Sequence, residues 1–234
     1  VGGVLGTTTN AAAGNQTTLA GWKIVIPADA NSVSQNPNYV APLASPPDLK
    51  INIAIPTQLE SGGVSIAGIT NDFEGDTRNL TTPDIGADEF AGIPVDLTPP
   101  NISYTPLLNT SSTTARTLVV NVIDPGSGVP TTAPGWPNLY WKKNAGGTWT
   151  AETPTGVAGS LYTYSFGAGV ATGDTVFYYA VAQDGASPPN ITAYPSLGAG
   201  GYTANPPAAA TPPTTPSRYV ISQTALAGSY TVGL

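Results

Sequence analysis

Along most of this chain, apolar and polar residues alternate over short runs separated by turn residues. In DLKINIAIP (48–56), Leu49, Ile51, Ile53 and Ile55 alternate with Lys50, Asn52 and Ala54, the period of a strand with one covered face. RTLVVNVID places Leu118, Val120 and Val122 on one face, with Val119 and Asn121 opposite. LYWKKN sets Tyr140 and Lys142 against Leu139 and Trp141. LYTYSF sets Leu161, Thr163 and Ser165 against Tyr162, Tyr164 and Phe166. DTVFYYAVAQDG, which begins at Asp174, predicts a strong late strand. Shorter strands are expected at Val1–Leu5, near Ser32–Ser34, from Tyr39, in GGVSIAGIT, and in SRYVIS and SYTVGL. Around Trp22, TLAGWKIVIPA fits either a single helical turn capped by Thr18 or a buried strand from Lys23 to Ile26, and Pro27 ends either one. Long helices are disfavoured because Gly, Pro, Thr and β-branched residues recur throughout.

Grouping these runs gives an all-β chain of two modules. Over residues 1–92, short strands spaced by roughly 10 to 20 residues fit the C-terminal coils and cap of a right-handed parallel β-helix. Residues 93–101 read as a linker, because Pro94, Pro99 and Pro100 hold an extended path. Residues 102–190 carry six or seven short strands, the pattern of an antiparallel Ig- or fibronectin-like β-sandwich. Residues 191–234 read as a Pro-rich connector and the start of a next module.

Composition changes this picture mainly by exclusion. The 234 residues include 27 Gly and 24 Pro, yet 40% are apolar, enough for folded β modules joined by Pro-rich joints. With seven cations and a net charge of −7, the chain has no basic stripe for nucleic acid or anionic membranes. Without Cys or His it has no disulfide, no thiolate or imidazole metal site and no Ser-His-Asp triad. No apolar run approaches the roughly 20 residues needed to span a bilayer, so membrane insertion is not expected. The missing Met and signal peptide suggest a mature or excised fragment.

Several motifs carry a family resemblance. ANSVSQNPNYV, DLKIN, NDFEGDTRN and PDIGADEF follow one another in the order of the closing coils of right-handed parallel β-helix modules in large Bacteroidota surface proteins. The match covers roughly residues 10–92. It departs at Lys50, where the family has His, at Glu74, where it has Asp, and at IPTQLESGG. The run from DLTPPNISYTP through VIDPGSGVP to FYYAVAQDGA resembles the Ig-like modules of the same proteins. The resemblance implies type IX secretion, an extracellular cell-surface location, and a structural or adhesive role in a stalk or gliding-motility filament built from tandem modules. The expected partners are neighbouring modules of the same chain, surface glycans and other cell-surface proteins. On this reading the chain is not an enzyme. The alternative is an accessory part of a secreted polysaccharide-acting enzyme or carbohydrate-binding protein.

Candidate chemistry concentrates between Asn71 and Phe90, which hold six of the fourteen acidic residues. Asp72, Glu74 and Asp76, with Gly75 permitting the turn, resemble part of a calcium loop, although the ligand set is incomplete. The same residues also fit a simple turn in which Asp72 or Asp76 pairs with Arg78. Asp84, Asp88 and Glu89 fit an acid–base pair of a glycosidase or, alternatively, charges that protect a sheet edge. If that segment is an alternating strand, Asp84 and Asp88 share a face and Glu89 points away. Trp136, between Pro134 and Pro137, is a candidate carbohydrate platform, with Trp22, Trp141, Trp149 and Tyr140 as further aromatics; Trp141 in its strand fits core packing. Thr175, in Asp174-Thr175-Val176, resembles the short O-glycosylation motif of Bacteroidota secreted proteins. Asn-x-Ser/Thr triplets at Asn15, Asn79, Asn101, Asn109 and Asn190 are uninformative in so Thr-rich a chain.

Overall fold

A computed structural model describes residues 6–7 and 14–223. The expected strands at Val1–Leu5 and in SYTVGL lie outside the described residues. The chain divides into two compact units, Val1–Val95 and Asp96–Leu234. Strands and loops make up most of both, with one short helix and a 3₁₀ turn in the first, so among the described residues the protein is mainly β.

In the first unit β1 (Gly6–Thr7) pairs antiparallel with β2 (Asn15–Gln16). Helix α1 (Leu19–Val25) follows, and the Thr18 hydroxyl caps it by accepting the Gly21 amide at 3.1 Å. The helical alternative around Trp22 is therefore the one adopted. A 3₁₀ turn at Pro27–Asp29 stops the helix, and the Trp22 indole N–H donates to the Asp29 carboxylate. Strands β3 (Tyr39–Ala41) and β4 (Asp48–Ile51) form a short antiparallel pair.

The coils of a parallel β-helix expected over residues 1–92 are not seen. The named strands there pair antiparallel, and the one parallel contact is an isolated bridge between Thr57 and Pro94. No strand forms near Ser32–Ser34 or in GGVSIAGIT, which runs as loops and turns. Beyond Ile51 the alternating apolar residues have no strand to sit on. Ile53, Ile55, Val64 and Ile66 are exposed, as are Leu43 at 98% and Phe73 at 68%. Every buried large apolar side chain among the described residues lies at or beyond Ile102.

The second unit is two antiparallel sheets. One has the order β5 (Asn101–Ser103), β6 (Arg116–Ile123), β10 (Leu161–Phe166), β9 (Gly156–Ala158). The other has the order β12 (Ile191–Tyr194), β11 (Thr175–Gln183), β7 (Asn138–Lys143), β8 (Thr150–Glu152), and β15 (Ser217–Val220) also pairs with β11. Leu118, Val120 and Val122 of β6 and Tyr162, Tyr164 and Phe166 of β10 share one core with Leu139, Val176, Tyr178 and Tyr219. These are the period-two faces expected from sequence. The Tyr164 hydroxyl, inside this core, donates to the Pro137 carbonyl at 2.7 Å, so burying it leaves no orphan donor.

Strand β11 is covered on both faces. Tyr179 and Val181, pointing away from the main core, pack in a second cluster with Ala193. A hairpin of β13 (Gly200–Thr203) and β14 (Ala208–Thr211) contributes Tyr202 and Ala209 to that cluster. A strand with two covered faces reads as a continuous apolar run rather than an alternation, which explains VFYYAVA. Residues beyond 190, read from sequence as a connector, supply β12, β15 and this hairpin. SRYVIS forms β15, as expected.

Candidate functional site

The acidic stretch forms a knot of carboxylates that accept backbone amides. Asp72 Oδ1 accepts from the amides of Glu74 at 2.9 Å and Asp76 at 2.8 Å, and its Oδ2 accepts from Glu89 at 3.0 Å. Gly75, at φ +97°, makes the turn that brings these amides round. The Glu89 amide, followed by those of Asp76, Glu74 and Gly75, holds the Asp72 carboxyl below its ordinary value despite some loss of solvent. Glu74 reaches out of the turn to Lys50, with Nζ and Oε2 2.9 Å apart on the surface. Asp72, Glu74 and Asp76 therefore share a loop without presenting a convergent set of carboxylate oxygens.

Arg78 pairs with neither Asp72 nor Asp76. It donates to the carbonyls of Asp84 and Gly86 and lies 3.4 Å from Glu89 Oε2, with both side chains mostly covered. Glu89 also accepts the amides of Asn79 and Asp84. Asp84, only 4% exposed, accepts the Ser61 amide on Oδ1 and the Phe90 amide on Oδ2, each at 2.7 Å. Residues 84–89 form no strand, so the expected alternation of Asp84 and Asp88 against Glu89 does not occur. Asp84 and Glu89 instead interlock through each other's backbone neighbourhood. Burial raises the Asp84 carboxyl above its ordinary value, with the amides of Phe90 and Ser61 opposing.

Asp88 differs from these. Loss of solvent, then the charges of Glu74 and Asp72, push its carboxyl up. With Lys50 and Asp48 it borders an open cleft of about 450 Å³ whose apolar lining includes Leu49, Phe73 and Phe90. A glycosidase needs two carboxylates free to face one bond, and here Asp84 and Glu89 are committed to backbone amides. The cleft is therefore bordered by Asp48, Asp88 and Lys50, without Asp84 or Glu89.

The other expected positions fall on the second unit. Trp136 is partly buried against the main core, and its amide donates to the Thr132 carbonyl, so it packs rather than standing proud as a platform. Trp141 also packs on this core and donates its indole N–H to Glu152 at 2.9 Å, as its strand position suggests. Trp149 meets Tyr179 edge-on, with Lys142 Nζ 4.9 Å from its ring centre. Thr175 opens β11 opposite Val220 and donates its amide to Asn144 Oδ1 at 2.8 Å. Among the sequon asparagines, Asn109 accepts the Val220 amide and Asn190 donates to Asp184 and to the Asp96 carbonyl.

The sequence reading missed a second carboxylate group. Asp96, Asp124 and Asp184 each bring an oxygen within 4.8 Å of the others. They come from three distant segments, DLT ahead of β5, DPGSG just after β6 and QDGA just after β11. Only the sandwich topology gathers them, so no spacing rule could have found them.

No known protein family matches this chain, and no curated protein matches it. Among the described residues no helix is long and apolar enough to cross a membrane.

Proposed function

We propose that this chain is a structural and adhesive segment of a large extracellular bacterial surface protein, a piece of a stalk or filament rather than an enzyme. One observation carries the reading: among its described residues the first unit buries no large apolar side chain, while Leu43, Ile53, Val64, Ile66, Phe73 and Leu80 stand exposed. A repeat module cannot bury its hydrophobic face alone and is completed by its neighbour. The first unit accordingly serves as the closing piece of a β-helix, its apolar residues covered by adjoining coils. The second unit is an Ig-like spacer with a complete core. Neighbouring modules of the same protein are the primary partners, and surface glycans or other cell-surface proteins are the targets of attachment. Type IX export to the cell surface, a gliding-motility role and glycosylation at Thr175 belong to this reading through the family resemblance alone.

Hydrogen exchange on the chain by itself tests the proposal. Amides of β6, β7, β10 and β11 exchange only through global opening of the second unit, while those of β3, β4 and residues 57–95 exchange at least tenfold faster. Equal protection in the two units overturns the reading, because the first would then be self-sufficient. Release of sugar from a polysaccharide that disappears in Asp88→Asn would instead make the cleft beside Asp88 an active site.

A further inference from the structure

We infer that the second unit carries a calcium-type cation site formed by Asp96, Asp124 and Asp184. Oxygens bound to one calcium at about 2.3–2.6 Å lie no more than about 5 Å apart, and these three groups meet that limit at 4.8 Å. The arrangement is fixed by the fold. Asp96 Oδ2 accepts the amide and hydroxyl of Ser127 at 2.8 and 2.6 Å, and its Oδ1 accepts the Thr98 amide. Asp124 follows β6 and accepts the amides of Gly126 and Gly128 on Oδ1. Asp184 follows β11, is fully buried, and accepts the amides of Ala186 and Asn190 on Oδ1 and the Asn190 side chain on Oδ2.

A second observation separates this group from an ordinary acidic cluster. Asp124 Oδ2 is sealed from solvent, with less than 1 Å² exposed, and has no hydrogen-bond donor. A buried carboxylate oxygen without a donor calls for a partner. No arginine or lysine supplies one, since none of the ion pairs among the described residues involves these three acids. The two nearest acids, Asp96 and Asp184, add negative charge beside it rather than a donor. A divalent cation answers all of this at once. The chain offers neither His nor Cys, so the donors are oxygens only, which selects a hard cation. Carboxylates held by loops and turns suit calcium's flexible shell better than magnesium's strict octahedron. The inference does not depend on the surface-protein reading, and it concerns residues other than the Asp72 loop.

The test is calcium titration of the whole chain after chelator treatment, by calorimetry and by thermal melting, with magnesium as comparator. The expected result is one calcium per chain, with an affinity at or tighter than the 10⁻⁴–10⁻³ M of extracellular modules, and a rise in the melting temperature of the second unit. Asp124→Asn and Asp96→Asn should each weaken binding at least tenfold, whereas Asp72→Asn leaves it unchanged. In chelator, Asp124→Asn should melt at or above the wild type, because it removes a repelled charge. Should Asp124→Asn fail to fold, Asp96→Asn and the wild-type titration decide alone. No heat and no melting shift up to 10 mM calcium overturns the site. So does binding that survives both variants, or a melting loss in Asp124→Asn that is the same with and without calcium.

Discussion

Asp84 accepts two backbone amides from residues 23 and six positions away, and Asp72 accepts three. In a unit with few ladder bonds and, among its described residues, no large buried apolar side chain, such carboxylates fix the path of the chain. Asp84→Ala would leave the Ser61 and Phe90 amides without their acceptor, at a cost of about 1–3 kcal/mol for each one that stays buried. Hydrogen exchange should show both amides losing protection while β6 and β10 are unaffected. The two acids should also titrate in opposite senses. The Asp72 carboxyl lies below 3.8 in the folded chain, so the stability it contributes is complete above 3.8 and is lost as pH falls through its folded value. The Asp84 carboxyl lies above 3.8, so its charged form is penalised at high pH and that penalty disappears as pH falls through its folded value toward 3.8. A carbon-13 carboxyl titration should place Asp72 below 3.8 and Asp84 above it; a shared midpoint at 3.8 would refute both assignments.

Among the elements, the strands of the second unit were the most legible. Leu118, Val120 and Val122 alternate with Val119 and Asn121, and the sheet buries the first set and exposes or half-exposes the second. Leu118→Ala should therefore cost about 2–5 kcal/mol in urea unfolding. Val119→Ala, on the exposed face of the same strand, should cost within about 0.5 kcal/mol. Similar losses at the two sites would show that the strand is not packed on one face only. DLKINIAIP shows the same alternation, yet only Asp48–Ile51 forms a strand and Ile53 and Ile55 stay exposed. Alternation states which side chains would share a face. It does not supply the surface that covers them, and within this chain that surface exists for β6 but not for residues 52–56. Proline misled in the opposite direction. Residues 191–216 are rich in Pro and turn signals, yet they contribute strand β12 and a hairpin that packs on the outer face of β11.

At the scale of the whole molecule the two units hold together by different chemistry. The second has a continuous aromatic core running from Tyr104 through Tyr178 and Phe166 to Tyr219. The first relies on local turns and on carboxylates that reach across the sequence, and many of its apolar residues are exposed. The sequence reading put a proline-held linker at 93–101, and the two compact units divide at Val95 and Asp96. It could not foretell the Asp96, Asp124 and Asp184 group, because proximity there is created by folding. The acidic stretch at 71–90 attracted attention for its density of charge. That density serves backbone amides, whereas the sparser acids ahead of β5 and just after β6 and β11 are the ones that converge.

The margins of the two sheets have a further consequence. β5, β8 and β9 are each three residues long, and β12 and β15 are each four. The long strands β6, β10, β7 and β11 each have neighbours on both sides, and on the outer side β6, β10 and β7 are paired over three residues each. An outer strand so short offers too few free amides and carbonyls to recruit a foreign strand. Copies of such a domain threaded on one polymer meet at the high local concentrations that tethering imposes. Side by side in that way, such copies would meet with little free edge through which their sheets could anneal.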